Sequence, residues 1–548
     1  MNVNLLLITL IIFSCIFFNK ISFRFGIPTL FVFILLGMAF GSDGFARISF
    51  DNFALSETVC SVALIYIMFY GGFGTNWKMA RPVARQSILL STAGVFLTAL
   101  FLGLFLYLLI RREFWLCFLT GSALASTDAA SVFSVLRSRK LDLKENTASI
   151  LELESGSNDP MAYMLTLVCL SFLTGEADAG SILRLLTTQL VFGIAIGALC
   201  GLLSYRILKS VSFEVDGFDV IFIAGIALFS YALSAALGGN GYLSTYLTGI
   251  ILGNVKMGGK KNIVHFFDGL TGLMQIAVFF LLGLLATPSL LPGVLMSAVS
   301  VFLFLTLIAR PLAVKLLLLP FRASKGQSRL ISFAGLRGAS SIVFAIMAVQ
   351  TLKSDTRFFH IIFFVVLLSL LVQGSLLPFA ARRFDMIDLS NDVMKTFTDY
   401  SEELPVQFIQ LTLAEDNEWV GKHISELSLP LQFLFLLIVR EDKKLVPKGT
   451  TLLEAGDSLI LCAPAVQTKN AMQLSEIEID KSSEYLHCHI RDINLPRGEI
   501  IFLIQRGNQS IIPNGQTEIL EGDTLMLTRL KEKERSPHSP SRVLTSGQ

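Results

Sequence analysis

Long apolar runs recur from the first residues to about position 380, separated by short polar connections. The remainder alternates apolar and polar positions in short runs punctuated by Pro and Gly. A run of about 17–25 apolar residues is long enough to cross a bilayer as a helix. Reading the runs this way predicts thirteen spans, at 2–19, 27–41, 54–73, 87–110, 114–136, 146–174, 183–208, 218–237, 241–255, 265–286, 292–317, 329–351 and 358–380. Composition agrees: 53% of the 548 residues are apolar and 16% charged, more apolar than a soluble core of this size holds. The first run has no basic residue before it and no small-residue cleavage pattern after it, so it is expected to stay as a helix.

Basic residues fix the expected orientation, because connections facing the cytoplasm carry the excess of Lys and Arg. Lys20, Lys78, Arg81, Arg85, Arg137, Arg139, Lys144, Arg206, Lys209, Lys260, Lys261, Arg322, Lys325 and Arg329 fall on alternate connections, and the intervening ones hold few. The alternation predicts an external N-terminus and a cytoplasmic C-terminal region.

That region contains a repeat. Residues 417–461 align with 483–527 at a constant offset of 66, with 15 identities in 45 positions, among them Pro447/Pro513, Gly456/Gly522 and Asp457/Asp523. The expected architecture is an all-α polytopic membrane domain over 1–385, with inverted repeats and crossed broken helices, and a small cytoplasmic α+β tandem. The tandem comprises a linker at 386–404, units at 405–467 and 471–533, and a disordered end at 534–548.

The seven cysteines form no CxxC pair and the six histidines show no metal-ligand spacing, so neither a disulfide framework nor a zinc site is expected. A net charge of +2 with dispersed basic residues gives no footprint for nucleic acid. Chemistry concentrates instead inside the spans. Asp159, in the string Glu154-Ser155-Gly156-Ser157-Asn158-Asp159-Pro160, is a carboxylate at a depth where insertion costs roughly 2.5–3.5 kcal/mol, and such residues handle ions or protons by default. At 1.5 Å per helical residue, Glu154 lies about 15 Å beyond Lys144 and Arg337 about 12 Å beyond Arg329, which predicts a Glu154–Arg337 ion pair. Asp159 is then left for a cation or a proton to neutralise.

The fifth span holds Ser126, Thr127, Asp128 and Ser131, and the twelfth holds Gly335, Gly338, Ser340 and Ser341. Small and hydroxylic residues at such depth suit broken helices. Crossed helix ends want an acid at the N-terminal side and a base at the C-terminal side, and Asp128 and Arg337 supply them. Pro160 has no N–H, which frees the Gly156 carbonyl, and backbone oxygens beside a carboxylate suit a hard monovalent cation.

Through Ser126-Thr127-Asp128, Glu154-Ser155, Asn158-Asp159-Pro160 and Gly335-Leu336-Arg337-Gly338, residues 1 to about 385 resemble the monovalent cation:proton antiporter superfamily, and most closely the NhaP-like potassium/proton antiporters of the cell-volume-regulation type. The resemblance implies a homodimer in a bacterial inner membrane, elevator-like alternating access, and cation and proton binding at Asp159 with Asn158, Asp128, Thr127 and Ser155. The metal ligands it implies are Asp159, Thr127 and Ser155, holding a monovalent cation. Asn158 before Asp159 implies one-for-one, electroneutral exchange. The tail units resemble the RCK-C subdomain of potassium-conductance regulators. They lack its usual Rossmann partner, and the second copy departs from the antiporter pattern. Their expected role is either binding of a nucleotide such as cyclic di-AMP or a purely structural pairing.

The expected function is exchange of K+, or alternatively Na+, for H+ in potassium or pH homeostasis and cell volume regulation. It requires no resident cofactor and no enzyme chemistry. A ligand-gated cation channel is the alternative, though no carbonyl filter string is present.

Overall fold

The computed structural model describes residues 2–388 and 406–530, apart from 26–27, 112, 140, 177, 212–216, 256–259, 354–356 and short stretches of the tail. Residues 389–405, which take in the expected linker at 386–404 except for its first three residues, and the expected disordered end at 534–548 lie outside the described residues. The chain divides into two compact units, Met1–Ser401 and Glu402–Gln548.

Helices occupy every apolar stretch of the first unit. They are α1 (Asn2–Phe25), α2 (Thr29–Phe40), α3 (Phe53–Gly74), α4 (Trp77–Ala80), α5 (Ala84–Leu89), α6 (Val95–Ile110), α7 (Phe114–Ala125), α8 (Ala129–Ser138), α9 (Thr147–Leu173), α10 (Ala179–Ser210), α11 (Phe218–Ala236), α12 (Gly241–Asn254), α13 (Lys260–Leu285), α14 (Leu291–Phe304), α15 (Arg310–Leu318), α16 (Lys325–Phe333), α17 (Ala339–Leu352), α18 (Arg357–Leu368) and α19 (Gly374–Arg383). Among the described residues, seven continuous helical stretches are long and apolar enough to cross a bilayer unaided: 53–74, 84–110, 179–210, 218–236, 260–285, 288–321 and 357–383.

Three of these contain a widened π turn, at Leu90–Gly94, Leu305–Ala309 and Ser369–Gln373. Such turns shift the phase of a helix and often mark functional positions. Arg310 directly follows the second and Ser369 opens the third.

Two apolar stretches are interrupted, as their small and hydroxylic residues predicted. Between α7 and α8 the chain is extended over Ser126–Asp128, and between α16 and α17 over Gly335–Gly338. α9 runs beside α7 and stays helical through Pro160. A two-residue ribbon pairs β1 (Asp142–Leu143) with β2 (Ile387–Asp388) and so ties the start of α9 to the end of α19.

In the second unit each sequence copy folds into an antiparallel four-stranded sheet. The first is β3 (Val406–Thr412), β4 (Leu434–Arg440), β5 (Lys443–Leu445) and β6 (Ser458–Pro464), in the order β3-β6-β4-β5. The second is β7 (Met472–Glu478), β8 (Glu499–Arg506), β9 (Gln509–Ile511) and β10 (Asp523–Leu530), in the order β7-β10-β8-β9. Their cores superpose by register: Ile438, Leu453, Leu459 and Leu461 in one, Ile504, Ile519, Leu525 and Leu527 in the other.

The same guanidinium clamp recurs. Arg440 grips the buried Asp457 at 2.7 and 2.8 Å, and Arg506 grips the buried Asp523 at 2.8 Å through both nitrogens. Burial alone would raise both carboxyls. The hydrogen bonds from the arginine and from backbone N–H groups outweigh it and hold them below their ordinary value.

Candidate functional site

The two interruptions cross and touch. The Asp128 N–H donates to the Leu336 carbonyl at 2.8 Å. A Cβ on Gly338 would stand 2.6 Å from the Asp128 Cβ, so this approach needs glycine. Each break exposes helix-end groups that lack intrahelical partners. Asp128 serves the N-terminus of α8, its Oδ1 accepting from the Ala130 N–H at 3.0 Å and its Oδ2 from the Ser131 hydroxyl at 2.6 Å. Arg337 serves the C-terminus of α7, its Nη1 donating to the Ala125 and Ser126 carbonyls at 2.7 and 2.8 Å. Acid and base thus stand at the dipole ends that favour them. The Arg337 N–H donates to Ser369 Oγ at 3.0 Å, which anchors the break to a π turn.

α9 passes this crossing with Ser155, Asn158 and Asp159, three or four residues apart and hence on one side of the helix. Asn158 Nδ2 donates to Thr127 Oγ1 at 2.6 Å, and Thr127 Oγ1 lies 2.9 Å from Ser155 Oγ. Ser126 Oγ donates to Asp159 Oδ1 and lies 2.9 Å from Ser340 Oγ. The structure therefore gathers Asp159, Asn158, Thr127, Ser155 and Asp128, all singled out from sequence. It adds Ser126 and Ser340, whose presence in the broken spans was the available signal.

Asp159 is 8% exposed, and among the described residues no basic side chain pairs with it. A cavity of about 460 Å³ reaches it, lined near the carboxylate by Thr127, Asp128, Ser155 and Ser340 and farther out by Glu152 and Asp268. A carboxylate ringed by hydroxyl oxygens is a hard-oxygen donor set, suited to a monovalent cation and equally able to take a proton.

The expected Glu154–Arg337 pair does not form. Glu154, fully buried, accepts from Arg310 Nη2 at 2.5 Å. Arg337 lies on an extended stretch, where the helical ruler used for its depth does not apply, and carbonyl oxygens occupy it. The same ruler applied to Arg310, twelve residues before Arg322, gives a depth of about 18 Å, so the missed partner was legible.

Comparison with known proteins places the whole chain. Residues 7–383 match the family described as sodium/hydrogen exchanger, transmembrane, and residues 408–472 and 474–528 each match the TrkA-C domain. The chain is 36% identical over 471 residues to the K(+)/H(+) antiporter NhaP2 of Shewanella sp. (strain MR-4), covering 84% of this chain and 80% of that one. It is 32% identical to the K(+)/H(+) antiporter NhaP of Alkalimonas amylolytica, over 85% of this chain and 82% of that one. Among solved structures, the sodium proton antiporter MjNhaP1 of Methanocaldococcus jannaschii shares the fold, with a TM-score of 0.62 at 23% identity over 69% of this chain and 97% of that one. The chain belongs to the sodium/hydrogen exchanger family of multi-pass membrane transporters and carries two TrkA-C domains behind its transmembrane region.

Proposed function

We propose that this protein exchanges a monovalent cation for a proton by alternating access, with cation and proton competing for Asp159. The observation that carries the reading is a nearly buried carboxylate held by hydroxyls rather than by a fixed positive charge, on the wall of a cavity. A permanently paired acid has nothing to exchange. This one becomes neutral only by taking up a cation or a proton. Ser126, Thr127, Ser155 and Ser340 supply oxygens, Asn158 holds Thr127, and Asp128 fixes the broken helix whose start frames the site.

Charge bookkeeping supports one-for-one exchange. The crossing contains Asp128, Glu154 and Asp159 against Arg310 and Arg337, a single negative charge in excess when all are ionised. One bound cation, or one proton, brings this set to zero. K+ is the favoured cation, because the relatives at 32–36% identity bear K(+)/H(+) names, and Na+ is the alternative. A channel draws no support from these relatives.

The proposed setting is a homodimer in a bacterial inner membrane with the tail in the cytoplasm, as the alternating basic connections favour. The proposed layout keeps the membrane domain at 1–385, the linker at 386–404 and the tail units at 405–467 and 471–533. The tail sets activity, with cyclic di-AMP or another nucleotide as its proposed regulator, and exchange needs no resident cofactor. In proteoliposomes holding a pH gradient, K+, Na+, Rb+ and Li+ are added in turn. Dequenching of a pH dye by K+ that Asp159→Asn abolishes supports the reading. Dequenching that survives the substitution refutes it.

A further inference from the structure

The cavity described above reaches Asp159 on one flank. The cavity arrives past Asp128, Ser134, Glu152 and Asp268, which lie toward the connections rich in Lys and Arg. On the other flank, one helical turn further along α9, stands Tyr163. Its ring meets Tyr242 of α12 edge to face, with centroids 5.1 Å apart, and lies 6.0 Å from Phe344 of α17. Tyr242 in turn meets Tyr231 of α11 at 5.0 Å. Tyr242 is buried, and its hydroxyl faces Ser61 of α3.

One turn before Ser61 is Glu57, close enough to act electrostatically on both Tyr163 and Tyr231. Glu57 is half-buried, does not line the cavity, and has no ion pair or hydrogen bond among the described residues. Packing alone would be served by Phe or Leu at the three ring positions. Tyrosine seals with its ring and still presents an oxygen. An unpartnered carboxylate inside an apolar helix is a functional candidate by default.

We propose that this cluster is the closed far half of the transport path. Tyr163, seated between Tyr242 and Phe344, separates Asp159 from the far compartment, and Glu57 is the carboxylate an incoming monovalent cation meets first when the site opens that way. Tyr163 and Phe344 ride on the helices that build the site, whereas Tyr242, Tyr231 and Glu57 stand on α12, α11 and α3. Movement of one set past the other parts the Tyr163–Tyr242 contact. The inference rests on the antiport reading above and adds the route on the side that this conformation closes.

The test uses the full chain in vesicles of the two opposite orientations, with K+ and Na+ as probes. Glu57→Gln is expected to raise the apparent KM for cation roughly threefold to fivefold at the face away from the tail, the scale of one partly exposed charge pair, with no change at the tail face. A KM unchanged at both faces, or raised equally at both, overturns the proposal. Tyr163→Ala is expected to give a proton leak that needs no cation, and Tyr163→Phe to restore the seal. A tight Tyr163→Ala vesicle with normal exchange overturns the barrier role. If Tyr163→Ala yields no folded protein, the Glu57→Gln comparison decides alone. Failure of the antiport reading is distinguishable, because the unsubstituted protein would then show no cation-dependent dequenching at either face.

Discussion

Glu154 and Arg310 form an ion pair of 2.5 Å in which neither side chain is more than 2% exposed. Breaking such a pair leaves one charge without compensation in a medium that solvates it poorly, at a cost of about 3–5 kcal/mol. Glu154→Gln is therefore expected to lower the thermal stability of the purified protein more than Glu154→Gln combined with Arg310→Met. Adding Arg337→Gln to Glu154→Gln should give no such relief. Melting curves of the three variants in detergent check the assignment, and equal losses in both doubles would count against it.

Asp128 acts at the head of α8, where asparagine caps as well as aspartate does. Asp128→Asn should retain the fold, and Asp128→Ala should lose about 1 kcal/mol. Both are expected to slow exchange, the alanine more, because the start of α8 frames the site. Initial rates of dequenching alongside melting temperatures separate the two effects.

Gly338 is the point of closest approach between the two broken helices. Gly338→Ala would force the Asp128 backbone away and stretch the 2.8 Å bond from Asp128 to Leu336. Loss of exchange is expected, with protein that still inserts and purifies. Activity near normal would show that the crossing yields more easily than a methyl group against the Asp128 side chain allows.

Arg337→Ala would orphan the last carbonyls of α7, each worth about 1–3 kcal/mol when left unsatisfied in the interior. Arg337→Lys keeps the charge but not the forked donor, so partial recovery of exchange is expected. The comparison of alanine with lysine reads out the capping role.

The tail clamps give a pH prediction with a definite sign. Asp457 and Asp523 are held below their ordinary value of 3.8, so their stabilising share is complete above that pH and drains as pH falls beneath it. Arg440→Ala and Arg506→Ala should each cost about 2–3 kcal/mol at neutral pH by stranding a buried carboxylate. The deficit relative to the unsubstituted protein should shrink on acidification toward pH 3, as hydrogen exchange at β6 and β10 would show.

Much of this was legible in the chain because membrane insertion makes polar residues conspicuous. Asp159, Asn158, Thr127, Ser155 and Asp128 stand out against apolar neighbours, and an acid and a base at two helix breaks follow from dipole ends. The ruler misled at Arg337, because depth by residue count presumes a helix and Arg337 sits where the helix has stopped. Arg310 went unremarked within the run at 292–317, although its depth by the same ruler is greater. Ser126 and Ser340 were visible as hydroxyls, but only the crossing of α7–α8 with α16–α17 turns them toward Asp159. The tail was legible in finer detail, down to the aspartates that recur 66 residues apart, whereas the grip of the arginines on them emerges only from the fold.

The excess of one carboxylate over the two guanidiniums at the crossing bears on what can drive transport. If each transit carries either one cation or one proton, the shuttling set crosses uncharged both ways, and membrane voltage does no work on it. Direction then follows from concentrations alone: flux stops when the cation ratio between the two sides equals the proton ratio. A cell that collapses its electrical potential while keeping its acidity difference would leave this carrier running unchanged.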